Sequence, residues 1–89
     1  MKTAQYFEIN KDRREWLGVR FFKWLPASSE VIQICVAPGD PRRGKANNFG
    51  IYTISQMTFF SNYMAMGYAV PCSERIYSKA FETVLAALR

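Results

Sequence analysis

The residues best suited to chemistry lie between Pro38 and Gly50, in the run Pro-Gly-Asp-Pro-Arg-Arg-Gly-Lys-Ala-Asn-Asn-Phe-Gly. Arg42, Arg43 and Lys45 are set among glycines, and Asn47 follows with a neutral amide. Glycines let a backbone come close to a phosphate, and the cations hold it without reading base sequence. A plain hairpin loop kept in solution by charge fits the same residues. Connections of this length are functional or disordered more often than idle.

A second group stands upstream. Arg20, Phe22 and Trp24 alternate, with Lys23 beside them. On an open sheet face, aromatics between cations stack bases while the cations hold phosphates. The same residue types anchor protein interfaces. On a closed face they are simply core. The expected partner or nucleic-acid contacts are therefore Arg20, Phe22, Lys23, Trp24, Arg42, Arg43, Lys45 and Asn47.

Catalysis is not expected. The chain has no histidine, the commonest general base and zinc ligand. Its two cysteines cannot form a four-thiolate site. The phosphate-loop, dinucleotide and nucleophile-elbow motifs are absent. The seven carboxylates show no paired spacing of the kind that glycosidases or two-metal nucleases need. Cys72 is the one residue to watch as a nucleophile, because it precedes a helix start, where the dipole lowers a thiol pKa. Its plainer role is a small residue packed under a helix. Cys35 reads as a small filler in a strand. Both fit free thiols of a reducing compartment, with a disulfide between them left open. No metal and no cofactor are expected.

These groups need a scaffold. With 89 residues, 49% hydrophobic and 16% aromatic, the chain forms one domain with one core. Tyr6 to Ile9 makes a short strand. Lys11 to Glu15 is a solvated charged turn. Leu17 to Leu25 is a strand with Leu17, Val19 and Phe21 on one face and Arg20, Phe22 and Trp24 on the other. Val31 to Ala37 follows, joined to it as an antiparallel hairpin, with Ile32, Ile34 and Val36 facing the helices. Phe49 to Ile54 pairs with that strand.

The period then changes. Met57, Phe59, Phe60, Tyr63, Met64 and Met66 have helical spacing, capped by Thr53 or Ser55 and stopped by Gly67. A strand over the same residues is the alternative. The methionines and aromatics make a soft apolar surface, mostly core. Tyr68 to Pro71 is an extended link. Ser73 caps a last helix whose stripe runs Ile76, Tyr77, Ala80, Phe81, Val84, Leu85 and Leu88. Strands first and helices last predict an α+β fold: an antiparallel three- to four-stranded meander, followed by two C-terminal helices packed on one sheet face. The opposite face would be partly bare.

The net charge of +5 is concentrated, since Lys11 to Lys45 supplies +4 of it. A basic excess favours polyanions or acidic protein surfaces. The start shows no signal-peptide pattern and no run reaches membrane length, so a cytoplasmic protein without membrane contact is expected. Two functions follow. One is a small non-catalytic binding protein of inhibitor or adaptor type, meeting an acidic protein surface or a nucleic-acid-binding complex. Accessory proteins of phages and mobile elements have this size and composition. The other is direct nucleic-acid binding through the same residues. A homodimer is compatible with either.

Overall fold

A computed structural model describes residues 4–40 and 49–89. Five strands form one antiparallel sheet: β1 (Gln5–Ile9), β2 (Gly18–Trp24), β3 (Glu30–Pro38), β4 (Gly50–Ser55) and β5 (Ala69–Pro71). Their spatial order is β4-β3-β2-β1-β5. Among the described residues, a 3-10 turn at Lys11–Arg13 and three α-helices accompany them: the single turn α1 (Arg14–Leu17), the short α2 (Gln56–Phe59) with a π-helical continuation over Phe60–Met64, and α3 (Glu74–Ala87). The class is α+β. The link after Gly67 is a fifth strand, because its backbone pairs with β1 through Phe7–Pro71 and Ile9–Ala69.

The helices do not share a face. Phe22 and Phe59 pack with Phe7, Ile9, Leu17 and Val31 beneath α2. Phe21 and Ile34 pack with Tyr77, Ala80 and Val84 beneath α3. The expected bare face is thus a second core. The physical reason lies in β2 and β3. Phe21 and Phe22 are neighbours, so they point to opposite sides, and both are buried. Val31 and Ile34 are buried on opposite sides of β3 in the same way. A strand that is apolar on both sides needs cover on both.

The topology allows two covers from few residues. After the edge strand β4, the chain crosses one face through α2 and reaches the opposite edge as β5. It then returns over the other face as α3, whose cluster includes Tyr6, Phe21, Ile34 and Ile51 from four strands in turn. A 14-residue helix is about 21 Å long, close to the about 19 Å that five strands span. One helix therefore reaches from β1 across to β4.

Local signals set the ends of these elements. Ser55 Oγ accepts from the Thr58 N–H at 3.0 Å, and Ser73 Oγ accepts from the Ile76 N–H at 3.2 Å. Both serines are N-caps. Gly67 has φ 73°, its N–H reaches the Met64 carbonyl, and the Tyr68 N–H reaches that of Tyr63. This is a Schellman stop with glycine at C′. The π turn is marked by the Ala65 N–H reaching Phe60 at 2.8 Å. Leu17 closes α1 rather than opening a strand, and Gly18 makes the change of direction at φ 87°. A Cβ there would collide with the Ala37 carbonyl, so the start of β2 lies directly against the end of β3.

Candidate interaction site

The face bearing Arg20, Phe22 and Trp24 is interior. Arg20 is 3% exposed and Phe22 is fully buried. The Arg20 guanidinium donates from Nε to the Leu17 carbonyl at 2.7 Å and from Nη1 to Gln33 Oε1 at 3.0 Å. Gln33 is buried with it. A guanidinium tolerates burial only when its donors are met, and these bonds meet part of that need. Trp24 is half-buried, lies edge-on to Phe60 at 5.0 Å, and donates its indole N–H to Gln56 at 2.8 Å. This corrects the expectation of an open aromatic and basic face: α2 and its π turn cover it. Lys23 points to the other face and is half-buried. Arg42, Arg43, Lys45 and Asn47 lie outside the described residues.

Neither Cys35 nor Cys72 is in a disulfide. Burial pushes the Cys72 thiol up to about 11, and the Glu8 carboxylate adds to the shift. This is the reverse of the lowering that a helix start would give a nucleophile. Cys35 is buried in β3, and burial raises its thiol too, with Arg20 pulling the other way. Among the described residues no group of three histidine, cysteine or carboxylate side chains is placed to hold a metal ion.

A different site emerges beside α3. The helix crosses the strands rather than lying along them, so it covers only part of their length. Toward the start of β2 and the end of β3 it leaves an open cleft of about 280 Å³. Val19, Phe21 and Val36 form the floor, and Ile76, Ala80 and Thr83 form the helical wall. The Thr83 hydroxyl donates to the Lys79 carbonyl at 2.8 Å and is satisfied within its own helix. Lys79 stands on the rim and makes no ion pair among the described residues. Ile76 is 45% exposed, although it belongs to the apolar stripe of the helix. The volume falls just below the about 300–1,000 Å³ of small-molecule sites, and the cleft is open along one side. Such a shape suits apolar side chains presented by a larger partner. Among the described residues the lining holds one cation and no carboxylate.

The cleft lies at a particular end of the sheet. Val19 pairs with Ala37 and Gly18 with Pro38, so its floor is next to the point where the basic segment leaves β3. A second hollow nearby is polar, lined by Asp12, Arg13, Glu15, Trp16 and Asp40. The Asp40 N–H donates to the Trp16 carbonyl at 3.0 Å, and the Arg13 guanidinium sits 5.7 Å from the centre of the Tyr68 ring. The charged turn at Lys11–Glu15 is mostly exposed, as expected, and forms a folded corner. It is held as well by the Arg14–Glu8 ion pair at 2.8 Å.

One signal for the cleft is present in the sequence. The α3 stripe from Ile76 through Tyr77 and Ala80 to Leu85 spans about half the helix circumference at 100° per residue, wider than one sheet contact buries. Its outer members had to face something else. Which strand residues they flank depends on the crossing direction of α3. The chain matches no protein-family model, no curated protein and no solved structure.

Proposed function

We propose that this protein is a small non-catalytic binding module that acts by contact with another protein, as an inhibitor or adaptor does. The observation that carries the reading is the apolar cleft beside α3. It is floored by Val19, Phe21 and Val36, walled by Ile76 and rimmed by Lys79, which makes no ion pair among the described residues, at the sheet end where the basic segment leaves. Exposed apolar side chains framed by cations are what an interface with an acidic partner offers. The basic residues Arg42, Arg43 and Lys45 add charge of the same sign. The raised Cys72 thiol argues against covalent chemistry at the one nucleophile candidate.

The test is affinity capture from the native cell with and without nuclease, followed by binding of the purified partner. A nuclease-resistant protein partner is expected. Ile76→Glu should weaken its binding roughly tenfold or more, about 1.4 kcal/mol, while leaving the thermal midpoint in place. Capture that vanishes with nuclease, and affinity that falls steeply with salt on mixed oligonucleotides, would establish direct nucleic-acid binding instead.

A further inference from the structure

The two edges of the sheet are built differently. β5 is a three-residue strand ending in Pro71, a short edge that offers little to pair with. β4 is six residues long and reads Gly-Ile-Tyr-Thr-Ile-Ser. It has no charge, no proline and three β-branched residues. Its register with β3 runs without a break from Glu30–Ser55 to Cys35–Gly50, whereas β2 and β3 shift between Val19 and Arg20. Natural edge strands are usually blunted by charge, proline, a bulge or brevity. β4 carries none of these devices.

The ladder phase shows which of its groups are open. The Gln56 N–H donates to the Ser29 carbonyl at 2.7 Å. Hydrogen-bonded pairs recur every second residue in an antiparallel ladder, so Ile54 and Tyr52 also turn their backbone groups toward β3. Ile51 and Thr53 turn theirs outward, as does the Ser55 N–H. β4 is the outermost strand, so these groups meet no other strand among the described residues.

A second observation lies on the helix. Val84 is fully buried against the sheet, and Leu88 extends the same stripe one turn further. Yet Leu88 is 54% exposed. α3 starts over β1, where Tyr77 meets Tyr6, and ends on the side of β4. Leu88 follows at the exposed end of α3, on that side.

We propose that β4 pairs with β4 of a second copy of this chain, antiparallel about a twofold axis at Thr53, so that two sheets become one. The outward residues are Ile51, Thr53 and Ser55, and a twofold at the middle one uses all three. Thr53 then faces its own symmetry mate, and Ile51 faces Ser55. On the α2 side Tyr52 faces Ile54, an aromatic with a β-branched residue, twice over. Threonine pairs and aromatic–β-branched pairs are the favourable cross-strand combinations. The contact is isologous and closes at two copies. Because the strand is uncharged, the ladder itself brings no like charges together, although each copy carries +5. Leu88 gains the partner's sheet as its cover.

Sedimentation over a concentration series tests this, together with amide exchange read residue by residue. A monomer–dimer equilibrium is expected. The Ile51 and Thr53 amides should slow as concentration rises, while Tyr52 and Ile54 stay protected throughout. Added salt should strengthen the dimer by screening two +5 copies, opposite in sign to nucleic-acid binding. Thr53→Lys puts two cations together at the axis and should abolish the dimer, with the thermal midpoint at low concentration unchanged. If that variant fails to fold, the exchange pattern of the unaltered chain decides alone. A chain that stays monomeric with fast exchange at Ile51 and Thr53 overturns the proposal. So does a dimer that survives Thr53→Lys in a folded variant. Protection that appears only when a different protein is added overturns the second copy as occupant.

Discussion

Tyr77 shows how a single residue reports on the core. It is 4% exposed, its ring is tilted against that of Tyr6 at 5.2 Å, and its hydroxyl has no hydrogen-bond partner among the described residues. Burial pushes its phenol up to about 12, and Tyr6 contributes to the shift. The sign follows directly. In the unfolded chain Cys72 and Tyr77 ionise near 9.0 and 10.0, but in the fold only near 11 and 12. Their contribution to stability is therefore complete below pH 9.0 and is lost as pH rises toward about 12. Urea midpoints should fall across that window, by at most about 1.4 kcal/mol per pH unit for each group. Tyr77→Phe should flatten the alkaline end. At neutral pH the same change should cost less than about 1 kcal/mol, because it removes an unsatisfied hydroxyl. Arg20 makes the opposite case. Arg20→Ala strips donors from the Leu17 carbonyl and from Gln33, and should cost about 2–3 kcal/mol. Had Arg20 faced a partner, affinity would fall and the urea midpoint would hold.

At the scale of elements, the segment from Ser55 to Gly67 holds one face shut. Phe59 is fully buried, stacked on Phe7 at 5.4 Å and tilted against Phe22 at 4.9 Å. Phe59→Ala should cost roughly 3–5 kcal/mol in urea melts, the range for a buried aromatic. Phe81, mid-stripe in α3, is only half-buried; Tyr77, Ala80 and Val84 form the buried line. Phe81→Ala should therefore cost clearly less than Phe59→Ala. Gly67→Ala isolates backbone conformation, since nothing lies within 4 Å of the added carbon. At φ 73° it should cost about 1–2 kcal/mol, and a larger loss would point to a contact rather than to strain. The caps at Ser55 and Ser73 and the stop at Gly67 are legible from sequence because each acts within four residues.

At the scale of the whole molecule, charge and covered faces decide what a partner can meet. Replacing Arg42, Arg43 and Lys45 with Glu inverts three charges in the most basic stretch of the chain. Partner affinity should collapse, with circular dichroism as the control for folding. Unchanged affinity would move the function away from these residues and leave the cleft at Ile76 to carry it. Among the described residues no helix is long and apolar enough to cross a membrane.

Local patterning was enough for β1 to β4, the serine and glycine helix signals, the two helical periods and the α+β class, because these are set by neighbours along the chain; β5 read only as a link, and α1 fell within a charged turn and the start of a strand. The sequence also carried a clue to the layering. Val31 to Val36 is nearly continuous in apolar residues, and Phe21-Phe22 is a doublet, so β2 and β3 were written for burial on both sides. Alternation alone cannot show this, because it assigns residues to two faces without saying whether either meets water. The packing of distant segments settles it. It put β5 on the far edge, which forced α2 across one face and α3 back across the other. That double crossing buried Arg20 and Phe22, left the cleft at Val19 and Val36, and exposed β4 and Leu88 at one edge. Each of these depends on the direction in which a helix crosses strands distant in sequence, which no local pattern encodes.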